Sequence, residues 1–130
     1  MKLRTALAAC AALGVLIPAT AASAAIKDGN CQWGEVCMYN GTQATGSIYD
    51  NDTGWDGNLS NNNYPGTTTS VNNTIGSIQN LSTTWMEFHT GFNFVGSSIC
   101  LNPGTSTSFG VSSLAHLNNA ISSHKSRSSC

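Results

Sequence analysis

Two stretches of this 130-residue chain are rich in oxygen donors. Asn72-Asn73-Thr74-Ile75-Gly76-Ser77 recurs forty-six residues later as Asn118-Asn119-Ala120-Ile121-Ser122-Ser123, so both follow Asn-Asn-x-Ile-x-Ser. Side-chain amides, hydroxyls and turn carbonyls are what a hard cation such as Ca2+ takes, six to eight oxygens at a time. In the second hexad the candidate ligands are Asn118, Asn119, Ser122 and the backbone carbonyl of Ala120. In the first they are Asn72, Asn73 and Thr74, a weaker set, because Gly76 stands where the second hexad has the hydroxyl of Ser122. Both hexads use Asn where Asp would add charge, so a Kd around 10⁻⁴–10⁻³ M is expected. The same residue types also cap turns by bonding the backbone.

Catalytic chemistry has less to stand on. His89, His116 and His124 are possible bases, but no Gly-x-Ser-x-Gly elbow, His-Glu-x-x-His or paired-carboxylate motif accompanies them. Their spacing matches no zinc ligand pattern. No catalytic residue is assigned, and His116 and His124, near the tail, are expected to be exposed. Cysteine chemistry is structural. With Cys10 in the leader, Cys31, Cys37, Cys100 and Cys130 remain, an even number that reads as two disulfides in an exported chain. Three pairings are possible. Cys31 and Cys37 are close enough to close one small loop, and Cys100 with Cys130 would then tie the tail to the body.

The export reading comes from the first residues. Lys2 and Arg4 precede an apolar run from Leu7 to Ala19, and Ala22-Ser23-Ala24 is a small-residue cleavage signal. Residues 1–24 are expected to be a signal peptide, leaving a secreted, extracellular domain over 25–130. The run is too short to span a bilayer. Leu7-Ala8-Ala9-Cys10 has the look of a lipobox, but most of the apolar run follows it. Losing Lys2 and Arg4 takes the net charge from −1 to about −3. That balance argues against nucleic acid, which needs a basic face, and against an anionic membrane surface.

Positioning of these groups falls to strands and turns. Val36–Tyr39, Ser47–Tyr49, Ile75–Leu81, Trp85–Phe88 and Ser97–Leu101 are short apolar or alternating runs, separated by Gly, Asn and Pro. Residues 111–120 offer one helical turn through Leu114 and Leu117. The biased stretch 58–71 reads as a long surface loop or a poorly ordered excursion, with Trp55 and Leu59 pinning one end to the core. This is the pattern of an all-β sandwich or barrel.

A second internal match narrows the fold. Tyr39-x4-Ala44-x-Gly46-Ser47 aligns with His89-x4-Phe94-x-Gly96-Ser97, fifty residues on. Gly46 and Gly96 are expected where the backbone needs positive φ or close approach. A hairpin of this type followed by the hexad resembles the Greek key of the βγ-crystallin family. That resemblance implies a single sandwich of two Greek key motifs, over about 31–81 and 82–124. His89 then takes the place of an aromatic, and packing is its first explanation. Each calcium site would combine one hexad with a carbonyl from the partner motif's hairpin.

With its leader and its early Cys31-x5-Cys37, the chain is also similar to the secreted metalloproteinase-inhibitor family of actinobacteria. That resemblance implies a monomeric peptidase inhibitor whose partner is a secreted protease. The segments beside Cys37 and around Ser98-Ile99-Cys100-Leu101 are candidates for contact, while no inhibitory bond transfers residue by residue. Two alternatives remain open: a calcium-binding structural module and a secreted killer-toxin-like protein.

Overall fold

The computed structural model describes residues 25–111 and 113–130. The signal segment expected over 1–24, Cys10 included, lies outside them. Among the described residues seven strands form: β1 (Val36–Tyr39), β2 (Ile48–Asn51), β3 (Ser77–Asn80), β4 (Trp85–His89), β5 (Ser98–Leu101), β6 (Thr105–Ser108) and β7 (Ser123–Arg127). They build two antiparallel sheets, ordered β2-β1-β3-β6 and β5-β4-β7. The expected all-β sandwich is what the chain adopts.

The two repeats are interlocked. β6 belongs to the second repeat but pairs with β3 of the first, Ser77 opposite Ser108 and Asn80 opposite Thr105. The reverse exchange is reduced to one bridge, in which Asp56 and His124 trade backbone hydrogen bonds of 2.9 Å each. The segment around Asp56 is rich in Asp, Asn and Gly and has no apolar alternation to extend that pairing. Each repeat thus contributes to the other's sheet.

Between the sheets, Val36, Met38 and Ile78 of the first meet Met86 and Phe88 of the second, all fully buried. Alternation explains the choice, since successive side chains point to opposite faces. β6 and β7 are polar and lack this signal. β6 lies at a sheet edge, while β7 turns Lys125 and Arg127 outward.

Three sequence expectations need correction. His124 is not exposed: it is fully buried on β7, its ring 5.9 Å from Phe88. Its strand lies between β4 and the Asp56 bridge, which covers it despite its place near the tail. Trp55 does not pin the 58–71 stretch, being 70% exposed with its indole N–H donating to Ser126 Oγ at 3.0 Å. That stretch is neither a bare loop nor disordered. Asn58 caps a 3-10 turn at Leu59–Asn61, Asn63 bridges Ser70, and Leu59, Tyr64 and Val71 are buried. The expected helical turn within 111–120 is a 3-10 turn at Ala115–Leu117, with Leu117 in the core and His116 exposed.

Candidate functional site

The hexads meet at the hairpins they were expected to follow. In the first hairpin Gln43 and Ala44 are left-handed (φ 56° and 55°); in the second, Asn93 and Phe94 are (φ 54° and 65°). Gly46 and Gly96 share a φ of 84°, a conformation that penalises any side chain. One serine holds each fold-over. Ser77 Oγ donates to Gly41 O at 2.6 Å and accepts from Ala44 N at 2.9 Å. Ser123 Oγ donates to Gly91 O at 2.6 Å and accepts from Phe94 N at 3.1 Å. The last residue of each hexad is therefore a lock on its own hairpin.

Elsewhere the hexads cross over to each other. Asn73 N donates to Ile121 O at 3.0 Å, and Asn119 N donates to Ile75 O at 2.9 Å. Both asparagines are left-handed, with φ 57° and 54°. Ser122 Oγ donates to Asn73 Oδ1 at 3.1 Å, so the hydroxyl of the second hexad reaches the amide of the first. Asn72 Oδ1 is buried with no hydrogen-bond partner among the described residues. Asn118 and Asn119 are exposed and Ala120 is half-buried. The Thr74 hydroxyl lies within donating distance of Ser70 O (2.7 Å) and Val71 O (2.9 Å). Gly76 has a steric reason for its identity: a Cβ there would lie 2.8 Å from the carbonyl carbon of Gly41.

The cysteines pair as Cys31–Cys37 and Cys100–Cys130. The first bridge closes a loop before β1. The second fastens the tail to β5, an edge strand whose Ser98 is exposed, Ile99 and Cys100 half-buried, and Leu101 buried. Of the segment expected to meet a partner, the Leu101 side chain is therefore in the core.

The residues ahead of β1 were missed as a unit by sequence reasoning. Lys27 N donates to Asp50 O at 3.0 Å, and the Asp50 carboxylate takes the amides of Asp28 (3.0 Å) and Gly29 (2.7 Å). Asp50 is fully buried on β2. Glu35, 2% exposed, takes the amide of Gln32 at 2.7 Å. Burial, with the charges of Asp50 and Asp28 behind it, pushes the Glu35 carboxyl up, although the Gln32 hydrogen bond opposes this. Two acidic residues thus fix a strap over 27–35. Asp28-Gly29 before a cysteine was the one local signal of a turn there.

On the second sheet's outer face Glu87 gathers three neighbours. Arg127 Nη1 lies at 2.9 Å, His89 Nε2 at 3.3 Å and Lys125 Nζ at 3.6 Å. Burial opposes ionisation, but the Arg127 hydrogen bond and the cationic surroundings hold the Glu87 carboxyl below its usual range. His89 packs edge-on to Phe94 with ring centres 6.1 Å apart, as its place in an aromatic position implied. Among the described residues, no three His, Cys, Asp or Glu side chains converge as a metal cluster.

Paired Greek keys, an edge strand carried over from one repeat to the other's sheet and serine-locked hairpins give a βγ-crystallin-like fold. A domain solved in work on the evolution of the eye lens βγ-crystallin fold is 21% identical and superposes with a TM-score of 0.61, covering 77% of this chain and 91% of its own. A βγ-crystallin from Ciona intestinalis matches at 18% identity and TM-score 0.57, over 72% of this chain and all of its own. An archaeal βγ-crystallin matches at 24% identity and TM-score 0.53, over 74% of this chain and all of its own. Comparison with curated protein sequences returns no match. The family is given by the sequence model that fits residues 24–101: the chain belongs to peptidase inhibitor family I36.

Proposed function

We propose that the protein is a secreted, monomeric inhibitor of extracellular peptidases, with thermolysin-like metalloproteinases as its first targets. The observation that carries this reading is the inhibitor-family match over 24–101. The disulfides agree with it. One fastens the strap before β1 and the other the edge strand β5, and fastened segments lose little freedom on binding. Family membership favours binding a peptidase over catalysis of its own. In the test, the protein is incubated in excess with a thermolysin-like and a subtilisin-like enzyme. Strong loss of activity of the first is expected. Full activity of both would defeat the proposal for those classes.

Weak calcium binding is a second reading, favoured by one observation. Asn72 Oδ1 is buried without a partner among the described residues, beside Asn73, whose amide oxygen meets Ser122 Oγ. Asn72, Asn73 and Ser122 would hold the ion, with Asn118, Asn119, the Ala120 carbonyl and Thr74 as the remaining candidates. Bound calcium would rigidify the crossing of the hexads. At 10 mM calcium and a Kd of about 10⁻⁴–10⁻³ M, mass action adds about 1.4–2.7 kcal/mol. A melting temperature several degrees higher is expected, and an unchanged one at 10 mM would remove the site.

A further inference from the structure

Trp33 is 72% exposed, the highest value among the large apolar side chains of the described residues. The backbone beneath it is tightly held. Glu35 N donates to Gln32 O at 3.3 Å, closing a turn with Trp33 and Gly34 at its corners, and Gly34 takes a φ of +99°. Nothing lies within 4 Å of a Cβ placed on Gly34, so conformation and not space requires glycine. Gly34 N donates to Leu81 O at 3.0 Å, tying the turn to the end of β3. The Glu35 carboxylate holds the amide of Gln32, and Cys31–Cys37 closes the loop covalently.

The contrast with Trp55 separates display from packing. Trp55 is 70% exposed, yet it bonds Ser126 and lies edge-on to Phe94 with ring centres 5.8 Å apart. Trp33 makes no hydrogen bond through its indole and no ring contact among the described residues. A tryptophan in water adds little to folding. Yet a buried carboxylate and a disulfide are both committed to the turn that presents it. Glu35 Oε1 is buried without a partner among the described residues, a cost the fold bears for this anchorage. Tryptophan is the residue type most enriched where binding energy concentrates, and a rigid turn leaves little ordering cost at association.

We infer that Trp33 is the anchor of the inhibitory surface, entering an apolar pocket in the cleft of the target peptidase. The inference rests on the inhibitor reading. Exposed Asp28, bonded to Gln32 Nε2 at 3.2 Å, and the Asp50 and Glu35 carboxylates beneath make the base of this turn anionic. The pocket that takes the indole is apolar. The disulfide across the turn keeps its two ends joined, which suits a segment held in a cleft built to cut chains.

The experiment compares wild type, Trp33→Ala, Trp33→Phe and Trp55→Ala in inhibition constants against the peptidase that wild type inhibits most strongly, with melting curves as a check on folding. Trp33→Ala is expected to raise the constant about thirtyfold or more, as loss of a hot-spot side chain does. Trp33→Phe should recover most of that loss, and Trp55→Ala should change little. If wild type inhibits and Trp33→Ala inhibits equally well, the anchor is overturned while the inhibitor reading stands. If wild type inhibits no secreted peptidase of any class, both fall.

Discussion

Acidification from pH 7 to pH 5 will remove about 2 kcal/mol of folding stability, and His124 will be responsible. Its ring is fully buried, and burial pushes its pKa down from 6.5 to about 4, outweighing the opposing pull of Asp56 and Asp52; Lys27 adds to the lowering. The Asn51 amide lies 3.3 Å from Nε2, an arrangement that needs that nitrogen unprotonated. Below pH 6.5 the unfolded chain takes up a proton that the folded chain refuses, so stability falls with pH at up to about 1.4 kcal/mol per pH unit. The fall ends near pH 4, where the folded ring protonates too, after a total of about 3 kcal/mol. Glu87, held below its usual range, loses its contribution at lower pH, and Glu35, pushed up, acts with the opposite sign. Urea unfolding at pH 7 and pH 5 measures the effect. His124→Gln should be less stable at pH 7 and nearly flat over this interval. A wild type equally stable at both pH values would refute the assignment.

The serine locks come next in size. Ser123 is fully buried, and Ser123→Ala leaves the half-buried Gly91 carbonyl and Phe94 amide without their shared partner. A cost of about 1–2 kcal/mol is expected, since the two groups left unpaired are half-buried. Ser77→Ala should cost about the same, through Gly41 and Ala44. The double variant would lose about 2–4 kcal/mol, a large fraction of the stability of many small domains. Chemical denaturation with an unchanged m-value tests this. Losses below about 0.5 kcal/mol in both single variants would show that the hydroxyls are bystanders. Since the two hairpins belong to different repeats, near-equal losses would also establish that the duplicated sequence performs duplicated work.

How far the chain announces its structure varies with the signal each element carries. β1 and β4 are compact apolar runs, and their positions were legible. β6, Thr105-Ser106-Thr107-Ser108, carries no apolar pattern because it lies at an edge and contributes little to the core. β7 fails for another reason: its inward residue is His124, a polar ring in a core position. The buried faces of Tyr64 and Val71 were hidden inside an Asn- and Thr-rich composition that reads as loop.

The candidate site divides the same way. Local patterns determined which residues repeat and that Gly46 and Gly96 stand where the backbone is special, because these depend on the backbone within a few residues; that His89 replaces an aromatic came from the resemblance to the Greek key pattern. Cysteine spacing was also enough for the Cys31–Cys37 loop. Only the tertiary structure decided which hexad oxygens meet. Ser122 joins Asn73 across forty-nine residues because the two hexads cross, Asn73 N bonding Ile121 O and Asn119 N bonding Ile75 O. It also decided that Asp50 and Glu35 grip the strap beneath Trp33. An acidic residue on a strand looks the same in sequence whether it faces water or a backbone amide, and that difference is made by packing alone.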